Sequence, residues 1–397
     1  MQHNLAWAVE LLTTAMTLAG MSYLLATMVA AWAHLLSNRR QAAPFAPGVS
    51  ILKSLKGLDP GMMDAFRSHC CQHYAGKYEL IFGVSSTEDP AAAAVEQLKR
   101  EFPDLAIQLI ECPERLGANG KVSTLVQMAG HARYDYLLIN DSDITVSPRY
   151  LERVMACFAP APMAQKADER PVGLVTTLYR GRAHDTPASL FEELGIATDF
   201  MPGVLLSKMM EGGLHYGLGA TLAVSREALE KAGGFIALAD YLADDYELGA
   251  RVDRAGYRLV LSREVVETAV PPYSLRGFFD HQLRWMRTIR AARPAGYVGL
   301  VFVHGLAWAM LNLLASGVSL LSLWLLVLCF FLRLSQAMVV GTQVLGDRKV
   351  LPSLWLLPLR DLLAMGLWIA AFAGDTIVWR GERFVLDGGR LRKAVSS

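Results

Sequence analysis

Two stretches without a charged side chain limit what this chain can fold into. Neither Leu11 to Leu36 nor Pro294 to Leu332 contains Asp, Glu, Lys or Arg. A helix needs about 20 apolar residues to cross a bilayer, so the first stretch reads as one crossing. The second, 39 residues long, is enough for a tight helical hairpin, with its turn expected near Ser316-Gly317. A cleaved leader is the alternative for the first stretch, but the run outlasts an ordinary leader core and no basic segment precedes it. Arg39 and Arg40 follow directly, and the positive-inside rule then predicts a cytoplasmic domain downstream. A third apolar block, Leu354 to Trp379, is broken by Arg360-Asp361 and Asp375. Three crossings after a cytoplasmic domain would leave the C-terminus outside, whereas Arg380, Arg383, Arg390, Arg392 and Lys393 favour the inside. The expectation is a hairpin followed by an interfacial or re-entrant last segment.

The chain therefore reads as residues 1–40, an N-terminal transmembrane helix; 41–293, a catalytic-sized domain; and 294–397, a C-terminal membrane region with a basic tail. Hydrophobic residues make up 53% and charged ones 19%, the balance of a membrane protein. A net charge of +1 gives no reason to expect nucleic acid as a partner. The five cysteines are odd in number and lack metal-ligand spacing, which predicts reduced thiols.

Between the apolar segments, short β-rich runs alternate with helical patterns. Val49 to Leu52, Tyr78 to Val84, Ile107 to Ile110, Tyr136 to Ile139, Val172 to Leu178 and Arg258 to Leu261 read as strands. Ala91 to Arg100, Arg149 to Phe158 and Tyr246 to Ala255 read as helices. Such alternation predicts an α/β domain with a mostly parallel sheet covered on both faces. Ligands then bind beyond the carboxyl ends of the strands. Pro44 to Gly48 reads as a linker and Ala159 to Pro171 as a surface loop.

Acidic residues cluster at those strand ends. Asp141 and Asp143, in Asn-Asp-Ser-Asp after the Tyr136 strand, can both face one hard cation, Mg2+ or Mn2+, whose remaining ligands would be phosphate oxygens. The same tripeptide is also a common solvated turn. Asp89, before Pro90, suits either a ribose or base contact or the N-terminus of a helix. Asp244 and Asp245 open a helical pattern; Asp245 is the candidate general base, with Asp244 as a capping acid or substrate contact. Lys121, in Gly117-Ala118-Asn119-Gly120-Lys121, suits a phosphate at a helix start or plain solvent. His281-Gln282-Leu283-Arg284-Trp285 falls in an amphipathic helix, Leu275 to Arg290, leading to the membrane. Arg284 can fork to a diphosphate, and Trp285 can stack on a sugar or the acceptor. Arg287, Arg290 and Arg293 are expected to face lipid headgroups.

As an ordered set these residues resemble the ceramide glucosyltransferase family of membrane glycosyltransferases, including its bacterial hopanoid-biosynthesis branch. The resemblance runs through Ser50-Ile51-Leu52-Lys53, Lys56-Gly57-Leu58-Asp59-Pro60, Glu88-Asp89-Pro90-Ala91, Asn119-Gly120-Lys121-Val122, Asp141-Ser142, Ala232-Gly233-Gly234-Phe235, Ala243-Asp244-Asp245-Tyr246, Arg284-Trp285 and Pro358-Leu359-Arg360-Asp361. It implies a GT-A fold (Rossmann-like) and inverting transfer of one hexose, glucose or N-acetylglucosamine, from a UDP-sugar to a lipid hydroxyl. Asp89 and Asp141 match the family's first two acids, and Asp245 matches the third, taken as the base. His281 stands where the family has Gln or Arg, with Gln282 beside it. The tail is more similar to the hopanoid branch, which implies a hopanoid polyol as acceptor, with ceramide as the alternative, at a bacterial inner membrane. A processive polysaccharide synthase and a non-catalytic lipid-binding protein are the rival readings.

Overall fold

The computed structural model describes residues 2–37, 45–160, 170–184, 186–379 and 382–393. Arg39, Arg40, Pro44, Arg380 and residues 161–169 of the expected surface loop lie outside the described residues. The chain forms two compact units. One comprises Arg40–Arg182, Glu211–Pro271 and Glu382–Ser397; the other comprises Met1–Arg39, Ala183–Met210 and Pro272–Gly381.

The first unit is built on eight strands: β1 Val49–Ser54, β2 Tyr78–Val84, β3 Ile107–Glu111, β4 Tyr136–Ile139, β5 Ile144–Thr145, β6 Val172–Ala183, β7 Leu222–Ser225 and β8 Arg258–Val270. Their order is β3-β2-β1-β4-β7-β6-β8-β5. Pairing is parallel from β3 through β2 and β1 to β4 and antiparallel where β7 joins β4 and β6, and where β5 joins β8. The parallel strands are rich in apolar residues because helices cover both faces, and Ile51, Leu52, Leu80, Ile81, Leu137 and Leu138 are fully buried. The helix Pro90–Glu101 starts where a sequence rule says it should. Asp89 caps it, Pro90 fills the first turn, and Ala91, Val95 and Leu98 face the sheet. Two further strands close this unit: β10 Glu382–Asp387 pairs with β11 Arg390–Lys393. The backbone N–H of Leu391 donates to Asp240 O at 2.7 Å, and Arg115 pairs with Glu382 at 3.0 Å.

Among the described residues, the second unit holds four helices long and apolar enough to cross a membrane: Asn4–Ser37, Pro294–Ala315, Leu320–Val344 and Leu351–Ala373. The hairpin turn falls at the expected place, with Gly317 and Val318 both in the left-handed region. Its second arm runs on to Val344, past the expected end at Leu332. Gly20 lets the first helix touch the second at the backbone, since a methyl group there would come within 2.3 Å of Gly305 Cα; such small-residue contacts are how apolar helices approach closely in lipid. Asn312 Oδ1 accepts from Thr13 at 3.1 Å and from Thr14 at 2.9 Å. The last of these helices runs on through Arg360-Asp361. Both side chains are buried and paired: Arg333 Nη2 donates to Asp361 Oδ1 at 2.7 Å, Arg360 meets Asp199 at 3.1 Å, and Arg333 also bonds Asp199. Charges that would end a lipid-facing helix are compensated here inside the unit. A strand, β9 Thr376–Trp379, follows. Around it the three arginines expected at lipid headgroups also have protein partners: Arg287 donates to Thr376 O, Arg290 to Gly374 O at 2.9 Å, and Arg293 to Ser207 Oγ at 3.3 Å. These three arginines tie protein segments together.

Candidate active site

The carboxyl end of β4 carries the centre of the site. Asn140 anchors it. Its side-chain amide donates to Ala220 O at 2.7 Å, Tyr150 Oη at 3.0 Å and Thr221 Oγ1 at 3.1 Å, all buried. That knot joins the end of β4 to the start of β7 and fixes the next residue, Asp141. Lys53, at the carboxyl end of β1 and 1% exposed, donates to Asp141 O at 3.0 Å. Burial pulls its ammonium down to about 7 against the opposing pull of Asp143 and Asp141. Ser142 bonds Asp59.

Asp141 then meets the start of the helix Asp244–Arg254. Lys121 Nζ lies 2.7 Å from Asp141 Oδ1 and 3.5 Å from Asp244 Oδ2. Asn119, which caps the helix Gly120–Ala129, also donates to Asp244 Oδ1 at 3.3 Å. A methyl group on Gly219 would stand 3.0 Å from Asp245 Oδ2 and 3.7 Å from Asp141 Oδ2. Both carboxylates therefore face one small space that the missing side chain keeps open. Asp245 Oδ1 accepts from the N–H of Tyr246 at 2.8 Å.

The electrostatics of this cluster are unbalanced. Burial, reinforced by Asp244, pushes the Asp245 carboxyl up to about 6, with Lys121 pulling the other way. Burial and Asp141 do the same to Asp143, also to about 6, although Thr268 Oγ1 donates to it at 2.5 Å. Burial opposes the charge on Lys121, but Asp141 and Asp244 outweigh it and hold the ammonium well above the usual lysine range.

Several sequence expectations change here. Lys121 is not a solvated residue; it is an ion-pair partner of two carboxylates. Neither Asp244 nor Asp245 caps its helix, since the cap position is Ala243. Asp89 does cap, accepting from Ala91 N–H at 2.9 Å, and both its oxygens accept from Gly57 N–H, at 2.9 and 3.1 Å. Asp141, Asp244 and Asp245 are brought together around Lys121 and Gly219; Asp89 holds the Gly57 loop, whose Asp59 reaches Ser142. Lys53 and Asp59 stand in the family motifs without a role read for them, and Gly219 escapes sequence reasoning. A lone lysine inside an apolar strand was the available signal for the first.

The donor set suits a hard divalent cation. Such an ion takes one or two protein carboxylates and leaves the rest of its shell to water and phosphate. Oδ2 of Asp141 faces the gap shared with Asp245, and Asp143 carries the crowded charge that a cation would relieve. Among the described residues, no group of three or more His, Cys, Asp or Glu side chains is gathered as an all-protein metal cage.

The second unit carries the other candidate residues. On the helix Leu275–Ala292, His281 bonds Glu192 at 3.0 Å, and buried Gln282 donates to the same carboxylate oxygen at 3.4 Å. Trp285 packs on His281 and Phe200, with ring centroids 5.1 and 6.0 Å apart. Arg284, half-buried, lies one residue before it.

Comparison with known proteins matches this architecture. A family model described as glycosyl transferase family 21 matches residues 12–391. Ceramide glucosyltransferase 3 of Caenorhabditis elegans is 27% identical over 355 residues, which cover 86% of this chain and 73% of the relative. Ceramide glucosyltransferase 1 of the same organism is 25% identical over 378 residues, covering 91% and 77%. Among solved structures, the mannosyltransferase PcManGT from Pyrobaculum calidifontis, in complex with GDP-Man and Mn2+, superimposes with a TM-score of 0.53 at 21% identity, over 92% of this chain and 98% of that one. The fold is thus that of the GT-A glycosyltransferases.

Proposed function

The chain belongs to glycosyl transferase family 21, and from that premise we propose that it moves a single hexose from a UDP-sugar to a membrane-lipid hydroxyl with inversion. The observation that carries this reading is the pairing of Asp245 with Asp141 across the space beside Gly219. Held up to about 6, the Asp245 carboxylate is ionised at neutral pH yet basic enough to accept a hydroxyl proton in the transition state. The lipid oxygen bonds to the anomeric carbon as the bond from that carbon to the UDP phosphate breaks. The proton passes to Asp245, and UDP leaves. Asp141, with Asp143 behind it, would hold Mg2+ or Mn2+, which when bound neutralises charge on the departing diphosphate. Lys121, paired with Asp141 at 2.7 Å, would add its positive charge beside the same diphosphate. Arg284 is assigned to the diphosphate, Trp285 with His281 and Gln282 to the acceptor, and Asp89 to the nucleoside end of the donor.

The four apolar helices support a lipid acceptor, and the names of the relatives support a ceramide-like one. Resemblance of the tail supports a hopanoid polyol. The catalytic unit would then face the cytoplasm of a bacterial inner membrane. The test is to supply the purified protein with Mn2+, UDP-glucose or UDP-N-acetylglucosamine, and either lipid, and to read the products by mass spectrometry. One added hexose on one lipid is expected. A long polymer, or no transfer with any pairing, overturns the proposal.

A further inference from the structure

The signature helix owes its arrangement to a residue from another segment. Glu192 lies on the helix Pro187–Gly195, and its side chain is 5% exposed. One oxygen, Oε2, accepts from His281 Nδ1 at 3.0 Å and from Gln282 Nε2 at 3.4 Å. A carboxylate this buried is costly unless hydrogen-bonded, and both donors come from consecutive positions of the signature. With Nδ1–H spent on Glu192, the His281 ring has a fixed tilt.

That tilt matters because His281 is the middle ring of a row. It stacks on Tyr273 with centroids 5.1 Å apart and planes at 27°. Trp285, one helical turn along, lies 5.1 Å from the same ring and rests on Phe200 at 6.0 Å. Rotating His281 would unseat both neighbours.

We propose that Glu192 is a positioning residue for the lipid acceptor. By locking His281 and Gln282 it sets the aromatic row of Tyr273, His281 and Trp285 against which the acceptor lipid rests. The inference rests on the reading of the signature as part of a lipid glycosyltransferase. It also accounts for the histidine in a place where the family has Gln or Arg: each of these residue types can donate to a buried carboxylate.

The test is steady-state kinetics with donor and acceptor varied separately. Misplacement of about 1 Å can cost ~10²-fold, so Glu192→Ala should raise the acceptor KM or lower acceptor-limited kcat/KM by about that factor. The UDP-sugar KM and donor hydrolysis without acceptor should stay unchanged. Glu192→Gln keeps an oxygen that can accept one hydrogen bond and should recover most of the loss. Unchanged acceptor kinetics in Glu192→Ala overturn the inference, and so does an equal loss in both substrates, which marks general damage. If Glu192→Ala does not accumulate, Tyr273→Ala, which removes the ring beneath His281, is read the same way. Wild-type protein that transfers no sugar at all would instead overturn the functional reading.

Discussion

The two units each contain a cluster of buried or half-buried charge, and the clusters are built on opposite plans. In the membrane-type unit, Arg333 and Arg360 face Asp199 and Asp361. Arg333 uses every nitrogen, adding Thr198 O at 2.6 Å and Gln336 Oε1 at 2.8 Å. Charge is matched, two arginines against two aspartates. In the sheet unit, Asp141, Asp143, Asp244 and Asp245 outnumber Lys121 and Lys53, and two of the acids sit near 6. That excess is held in place by Asn140, Thr268 and Gly219 and is not relieved within the protein. A self-neutralising cluster serves stability; an unrelieved one stores an electrostatic demand for a ligand.

The contrast can be broken by experiment. Asp245→Asn should lower transfer by ~10²–10⁴-fold while UDP binding, measured by calorimetry, persists. Because the substitution removes a crowded charge, it should also raise the melting temperature of the metal-free protein. Wild-type activity in this variant would remove the base. In the matched cluster the sign reverses. Asp361→Leu leaves Arg333 half-compensated and should destabilise the protein by ~3–5 kcal/mol, seen as a lower melting temperature in detergent. Arg333→Leu combined with Asp361→Leu should recover part of that loss, and no recovery would show that the pair is not acting as a unit.

A pH series sharpens the same point. The folded-state value near 6 for Asp245 lies above the ordinary 3.8, so its protonation contributes stability that is complete below about 3.8 and lost as pH rises through about 6. The advantage of Asp245→Asn over wild type should therefore be largest at pH 7 and should shrink towards pH 4. Transfer by wild type should fall as pH drops through 6, as the base becomes protonated. A constant gap in melting temperature would refute the assignment. The smallest effect is expected from Gly219→Ala. Its new methyl, 3.0 Å from Asp245 Oδ2, should push that carboxylate by a fraction of an ångström and lower kcat about 10-fold, with melting temperature little changed.

Much of the fold was legible. The strand at Tyr136–Ile139 is an apolar run leading straight into Asp141, and its bounds come out as expected. The hairpin turn at Gly317 follows from a run too long for one crossing. The features that escaped depend on distant partners. β5 and β7 have two and four residues, too short for a period to show, and exist because β8 and β4 pair with them. Arg360 and Asp361 look like interruptions until Arg333 and Asp199 are placed beside them. Lys121 looks solvated until Asp141, 20 residues away, and Asp244 close around it. Local pattern specifies elements; it does not say which charges they bring together.

The hairpin β10–β11 has one more consequence. Its Leu391 is bonded to Asp240 of the sheet unit, so the chain leaves that unit before Pro272 and is back in it by Glu382. A path that starts and finishes on one face of a bilayer must traverse it an even number of times. Yet three sufficiently apolar helices lie in between. If all of them enter the lipid, at least one dips in and returns to the side it came from. Labelling of single cysteines placed at 346 and 389 from each side of sealed vesicles would show which leaflet each reaches.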